Sequence, residues 1–239
     1  MIHEGKNRKG YTKNIKLKIF VTCGSSDTSI MSVQAFMVEA LRKLASRRVE
    51  GLDLLCDEEI VEMCKKELPH DVTAFREILR RYEGVVHSTC MRMLGTQADA
   101  EEITQDALLQ VFHKIHQFEG RSKFKTWLYT IVQNYCRNRL TKIIRKREGT
   151  AKYEEYAKQN EYSHENADLG ADLSESVQEA INKLKEKEKE VLVMKFISGL
   201  TIQEMADVLG VGLSAAKMRL YRAMESFKEV YQTSSSESV

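Results

Sequence analysis

The sequence predicts an all-α protein: two small helical domains joined by a flexible acidic linker, the second domain a helix-turn-helix. Three observations predict it. A single proline, Pro69, interrupts 239 residues. Leu, Glu, Lys and Ala are abundant, and apolar residues recur at helical rather than alternating spacing. Between Glu148 and Asp172 the spacing disappears and the chain turns acidic and polar, with Glu154, Glu155, Glu161, Glu165 and Asp168, as expected of a linker.

Residues 1–56 form an N-terminal extension whose role the sequence leaves open. Lys16 to Thr22 fits a short strand. Ile30, Val33, Met37, Leu41 and Leu44 keep helical spacing behind caps at Asp27 to Ser29. A flexible extension, or a start at Met31, fits equally well. The first domain is expected over 57–147, with helices at Asp57–Leu68, one or two across Asp71–Leu94 capped by Asp71, then Asp99–Phe118 and Phe124–Arg147. The linker is expected over 148–173. The second domain spans 174–231, with helices at Ser174–Leu184, Lys187–Ser198, Thr201–Leu209 and Leu213–Val230. A Ser-rich tail, 232–239, is expected to be disordered.

Composition narrows the function classes. The formal net charge is only +2, so the protein is no polycation, and any attraction for phosphate must come from a local stripe. Five scattered cysteines without a CxxC predict reduced thiols rather than a disulfide frame. His87 and Cys90 stand three apart on a helix, but no second ligand pair accompanies them, so no metal and no cofactor is expected. No apolar run approaches the ~20 residues of a membrane span, and no secretory signal pattern is present. A soluble, cytoplasmic protein is the expectation.

The segment Thr201 to Ser214 carries the clearest local signal. Thr201 and Glu204 make a capping box. Ala206 is small where a crossing helix must come close, Gly210 sits where the turn needs a left-handed residue, and Val211 fills the angle. This is the pattern of a helix-turn-helix, whose second helix enters a major groove. On that helix Ala216, Leu220, Ala223, Met224 and Phe227 share one face. Ser214, Ala215, Met218 and Arg222 lie opposite, flanked by Lys217 and Arg219, and can meet base edges and phosphates, with Met218 against a thymine methyl.

The first domain changes character at Gly120. Ala98 to Glu119 is acidic and lacks Lys or Arg before Lys114, whereas Arg121 to Arg147 holds nine cations and no acid. In the acidic helix Ile103, Ala107, Leu108, Val111, Phe112 and Ile115 form the buried arc. Asp99, Glu102, Gln105, Asp106 and His113 lie on the other side around Leu109, which reads either as a lone surface residue or as the apolar anchor of a docking face. In the basic helix Phe124, Trp127, Leu128, Ile131, Val132 and Tyr135 turn inward. Thr130, Gln133, Asn134, Arg137 and Thr141 form an open stripe suited to bases or phosphates. The preceding loop, Phe118 to Lys123, offers an aromatic and cations beside a helix N-terminus, a cradle for an unstacked base.

Two blocks carry a family resemblance. Asp99-Ala100-Glu101-Glu102-Ile103-Thr104-Gln105-Asp106-Ala107, followed by Phe118-Glu119-Gly120-Arg121-Ser122-Lys123-Phe124 and Trp127-Leu128-Tyr129 through Asn134, resembles region two of the extracytoplasmic-function (ECF) sigma factors. Gly199 to Ala206 with Lys217-Met218-Arg219-Leu220-Tyr221-Arg222 is similar to their region four. The resemblance spans about residues 57 to 231.

It implies that Asp99, Glu102, Gln105, Asp106 and Leu109 dock on the clamp helices of the largest subunit of bacterial core RNA polymerase, with the flap of the second subunit as a further contact. It implies that Phe118, Arg121, Ser122, Lys123, Phe124, Thr130, Gln133, Asn134, Arg137 and Thr141 hold the minus-ten element as single strand, with one base flipped. Ser214, Ala215, Lys217, Met218, Arg219 and Arg222 would read the minus-35 duplex, and the linker would thread toward the RNA exit path. An anti-sigma factor, or a recruiter acting through residues 1–56 or the tail, is a further partner class. Lys185-Glu186-Lys187, Gly212 to Ala216 and Asn138 depart from the family pattern. They leave the finer promoter sequence open.

Two other classes compete. A free-standing helix-turn-helix regulator would need neither the acidic helix nor the aromatic loop. A recombinase or nuclease would need an activated nucleophile or a carboxylate–metal cluster, and Asp99, Glu102 and Asp106 come without one. The expected protein is a promoter-specificity subunit with no catalysis of its own.

Overall fold

A computed structural model describes the backbone of residues 51–154 and 175–236. The expectations for residues 1–50, 155–174 and 237–239, including most of the linker, lie outside the described residues. All regular structure among the described residues is helical.

Helix α1 spans Asp57–Glu67, with Asp57, Glu58 and Glu59 in its first turn and Lys65 and Lys66 in its last, each placed favourably for the helix dipole. Helix α2, Thr73–Leu94, is one continuous helix. The Asp71 carboxylate accepts from the Thr73 amide at 2.8 Å, the capping role expected of it. Helix α3, Gln97–Lys114, starts two residues earlier than expected because the Thr96 hydroxyl accepts from the Asp99 amide; it tightens into a 3₁₀ turn at Ile115–Gln117. Helix α4 runs Phe124–Glu154, so the basic helix continues seven residues past Arg147 into the stretch expected to be linker. Ala151 and the absence of Pro or a terminating glycine motif let it propagate.

The centre of this first set is aromatic. Phe118, Phe124 and Trp127 meet ring to ring, edge-on or tilted, at 5.5–5.8 Å, and Tyr82 meets Phe124 edge-on at 5.7 Å. Phe75, Ile78, Leu108, Ile115 and Leu128 fill the space around them. A polar tie holds residues 52–57 to α2. The Arg81 guanidinium donates to the carbonyls of Leu52 and Leu55 at 2.9 Å and pairs with Asp57 and with buried Glu77. The bond from Arg80 holds the Glu77 carboxyl below the usual range against the opposing effect of burial, with Arg81 adding to it.

The second set comprises α5 (Glu175–Lys183), α6 (Glu186–Leu192), a π-helical turn (Val193–Ile197), α7 (Ile202–Leu209) and α8 (Leu213–Ser236). Helix α8 extends through Ser236, beyond the expected end at Val230 and into the expected tail. Met194, Leu200, Met205, Ala216 and Ala223 are the buried centre of this second set. Met224, expected on the buried face of α8, is exposed instead. Its angular position falls just outside the arc filled by Ala216, Leu220 and Ala223. The two sets share one continuous apolar core, with α4 against α7 and α2 against the π turn and α6.

Candidate nucleic-acid interface

The helix-turn-helix is built as its residues require. The Thr201 hydroxyl accepts from the Glu204 amide at 3.2 Å, and the Glu204 carboxylate accepts from the Thr201 amide at 2.8 Å. Gly210 adopts φ +64°, and the Val211 amide reaches the Ala206 carbonyl at 3.0 Å, closing α7 in a Schellman arrangement. Helix α8 then leaves Ser214, Ala215, Lys217, Met218, Arg219 and Arg222 all exposed, with Met218 at 51%. An apolar side chain left half in water at the centre of a cationic face is what a methyl contact in a major groove would use.

The acidic face of α3 is less open than its sequence suggests. Arg139 of α4 pairs with Asp99 and, at 2.9 Å, with Glu102. Burial resists ionisation of Asp99, but Thr96 and Arg139 hold its carboxyl low. Asp106 is half-buried; burial and then the neighbouring Glu102 push its carboxyl up, against Lys142 and Arg139. Gln105 and Leu109 are half-buried rather than standing free. Arg139 was not anticipated, because nothing local marks which cation of the basic helix turns back on α3.

The loop and basic helix diverge from expectation at Phe118 and Gln133, whereas Phe124 turns inward as its spacing predicts. Phe118, at 5% exposure, and Phe124, fully buried, belong to the aromatic core and present no free ring. The Lys65 ammonium also lies over the Phe118 ring at 5.6 Å. Gln133, expected on the open stripe, is fully buried, and neither its amide nitrogen nor its oxygen has a partner. Arg121, Lys123, Asn134 and Thr141 are exposed, and Ser122, Thr130 and Arg137 half-buried. Arg121 bonds Glu119, and the Thr130 and Thr141 hydroxyls donate back to the Thr126 and Arg137 carbonyls at 2.9 Å, leaving their oxygens to accept. The Phe124 amide, at the mouth of α4, already faces the Glu58 carboxylate at 3.4 Å.

The remaining cations of this face reach across to the second set. Arg137 pairs with Glu190 at 2.7 Å, Lys123 with Glu204 at 3.2 Å, and the Lys125 ammonium donates to the Gly199 carbonyl at 2.9 Å. Burial pushes the Glu190 carboxyl up, while Arg137 works the other way. Burial likewise opposes ionisation of Glu204, but Thr201 and Lys123 hold it below its ordinary value. An open, charged cleft of about 470 Å³ lies between the sets, lined in part by Glu58, Lys123, Lys125 and Glu204. No group of His, Cys, Asp and Glu able to hold a metal occurs among the described residues. No described helix is long and apolar enough to cross a membrane.

Known proteins match in the same two blocks. The sequence profile of sigma-70 region 2 matches residues 78–147, and that of sigma-70 region 4 matches residues 174–227. The ECF RNA polymerase sigma factor SigW of Bacillus subtilis is 30% identical over 168 residues, which cover 66% of this chain and 89% of that protein. The ECF RNA polymerase sigma-E factor of Haemophilus influenzae is 25% identical over 186 residues, 74% of this chain and 96% of that one. Among solved structures, the sigma factor RpoE of Bartonella quintana in complex with the anti-sigma factor NepR aligns with a TM-score of 0.52 at 23% identity, covering 66% of this chain and 96% of that chain. CnrH in complex with the cytosolic domain of CnrY aligns at 0.54 and 19%, covering 74% and 97%. These two likenesses show a shared helical fold. With regions two and four in order on the chain, and a relative at this level of identity matched over most of its length, the protein belongs to the ECF sigma factors.

Proposed function

We propose that this alternative sigma factor directs core RNA polymerase to a two-element promoter and assists its melting. The carrying observation is the pairing, in one chain, of a bare recognition helix with a second cationic helix that follows an acidic one. Helix α8 would take the minus-35 duplex through Ser214, Ala215, Lys217, Met218, Arg219 and Arg222. The outer side of α3, at Gln105, Asp106 and Leu109 with Asp99 and Glu102 beside them, would dock on polymerase.

For the minus-ten single strand, Arg121, Ser122, Lys123, Thr130, Asn134, Arg137 and Thr141 supply donors and acceptors. Phe118 and Phe124 serve instead as the packing that holds this loop. Melting is favoured when unstacked bases and separated phosphates gain contacts that duplex DNA cannot make. No catalytic group is required, because polymerase carries the chemistry.

Reconstitution tests this. The chain added to bacterial core polymerase on DNA from its own genome should start transcripts at defined positions. Transcription no different from core alone would overturn the reading, and tight binding to intact duplex without polymerase would favour a free-standing regulator.

A further inference from the structure

We propose that Cys90 and Cys136 form an oxidisable dithiol: hydrogen peroxide converts the pair to a disulfide that ties α2 to α4, and a thiol reductant opens it again. The proposal goes beyond the promoter reading and does not depend on it.

The fold brings together two sulfurs that stand 46 positions apart in sequence. Cys90 lies near the end of α2 and Cys136 within α4. Both are free thiols and fully buried, and the Cys136 thiol donates to the Cys90 sulfur at 3.7 Å. A disulfide bond is about 2.05 Å long, so the sulfurs need approach by only about 1.7 Å, a matter of side-chain rotation. The loop closed by this bond contains all of α3 and the segment Phe118 to Lys123.

The two sulfurs are not equivalent. The bond from Cys136 holds the Cys90 thiol below its ordinary value against burial, and the Thr104 hydroxyl of α3 adds to it. The same bond, together with burial, raises the Cys136 thiol well above its own. Cys90 is therefore the sulfur suited to carry the thiolate, the form that attacks. Cys64 in α1 shows the ordinary buried case, with burial pushing its thiol up to about 12.

Burial ordinarily shields a thiol. Here the surroundings suit a small polar oxidant. Apart from the Cys90 sulfur, the Thr104 hydroxyl has no partner, and neither polar atom of the Gln133 amide has one; both side chains are buried. Gln133 lies one turn before Cys136 on the same helix. Unpaired buried polar groups are costly, and a water-sized molecule with donors and acceptors satisfies them. Hydrogen peroxide is close to water in size and carries both.

The chemistry balances with peroxide as the oxidant. The Cys90 sulfur attacks one peroxide oxygen, the O–O bond breaks, and the departing hydroxide takes up the Cys90 proton to leave as water. Cys90 is then a sulfenic acid. The Cys136 sulfur attacks the Cys90 sulfur, the S–O bond breaks, and the hydroxyl leaves as a second water with the Cys136 proton. Two thiols have lost two electrons, and one peroxide has become two waters.

The unaltered full chain provides the first test. After peroxide and then alkylation, mass spectrometry should find the Cys90 and Cys136 peptides joined, with two hydrogens lost, and dithiothreitol should separate them. Alkylation of both as free thiols would overturn the proposal. So would an equal yield of the link in urea, where the fold no longer selects this pair over Cys56 or Cys64. The second test uses Cys136→Ser, whose hydroxyl keeps a donor beside Cys90 but cannot close the bond. Dimedone should then capture Cys90 as its sulfenic acid, and should label Cys136 in Cys90→Ser about tenfold less. Equal labelling overturns Cys90 as the attacking sulfur. None of these readouts uses polymerase or promoter, so failure of the promoter reading leaves them intact and their failure leaves that reading intact.

Discussion

Regions two and four both present a cationic helix, yet one is covered and the other bare. On α8 of region four, Lys217, Arg219 and Arg222 face solvent with no carboxylate among the residues between them. In region two, Arg137 and Arg139 on α4 and Lys123 just before it each meet a carboxylate from elsewhere in the fold. The difference teaches that cation count does not measure readiness to bind phosphate. What decides is whether a competing anion is already within a few ångströms. If α8 reads duplex DNA and α4 holds a melted strand, as proposed, the first stands ready for its ligand while the second has its cations already engaged within the fold.

The interiors differ as well, and there the largest effect is expected. Region two is organised around the Phe118, Phe124 and Trp127 rings, whereas region four packs Met, Leu and Ala. Phe124→Ala should therefore cost about 3–5 kcal/mol in urea or thermal unfolding, the usual range for emptying a buried aromatic site. A loss below about 1 kcal/mol would show that the ring cluster is not what holds region two.

The bare-versus-covered contrast has its own test on minus-35 duplex. Lys217→Ala with Arg219→Ala should weaken binding and reduce the salt slope by about two counterions. Lys123→Ala with Arg137→Ala should leave both unchanged, because those cations do not face that duplex. Equal effects from the two pairs would erase the distinction drawn here. The smallest effect belongs to the turn. Gly210→Ala places a side chain at φ +64° with open space around it, so only backbone strain is felt, about 1 kcal/mol in unfolding measurements.

Most helices were legible because local chemistry sets them. Thr201 and Glu204 announce the start of α7, Gly210 its end, and Asp71 the approach to α2. Boundaries failed where no firm stop is written: α4 passes Arg147 and runs on through Gly149 without a proline to end it, and α8 passes Val230 with neither glycine nor proline ahead. The bare site on α8 was legible because its wheel needs only neighbours on the same helix. The face on α4 was not. Gln133 looks like any exposed amide by spacing, and its burial comes from a distant segment. Glu190 precedes the apolar run Val191 to Met194, and a carboxylate at that edge is the faint local hint that it turns inward. Phe118 reads as a free ring because the loop around it is polar, but Trp127 and Phe124 draw it into the core.

The π turn at Val193–Ile197 carries a geometric consequence. The Ser198 amide reaches back five residues to the Val193 carbonyl at 3.0 Å, so this segment holds one residue more per turn than its flanks. That surplus resets the angular phase of everything after it. Phe196 rotates outward to 62% exposure while Ser198 faces Thr89. Rewinding the turn to ordinary pitch with all its residues kept would swing Ser198 through roughly 100° and turn its hydroxyl away from Thr89, whereas deleting one residue within it would leave Ser198 where it is. The alignment of the two halves is thus a matter of winding, set within five residues that themselves carry no acid.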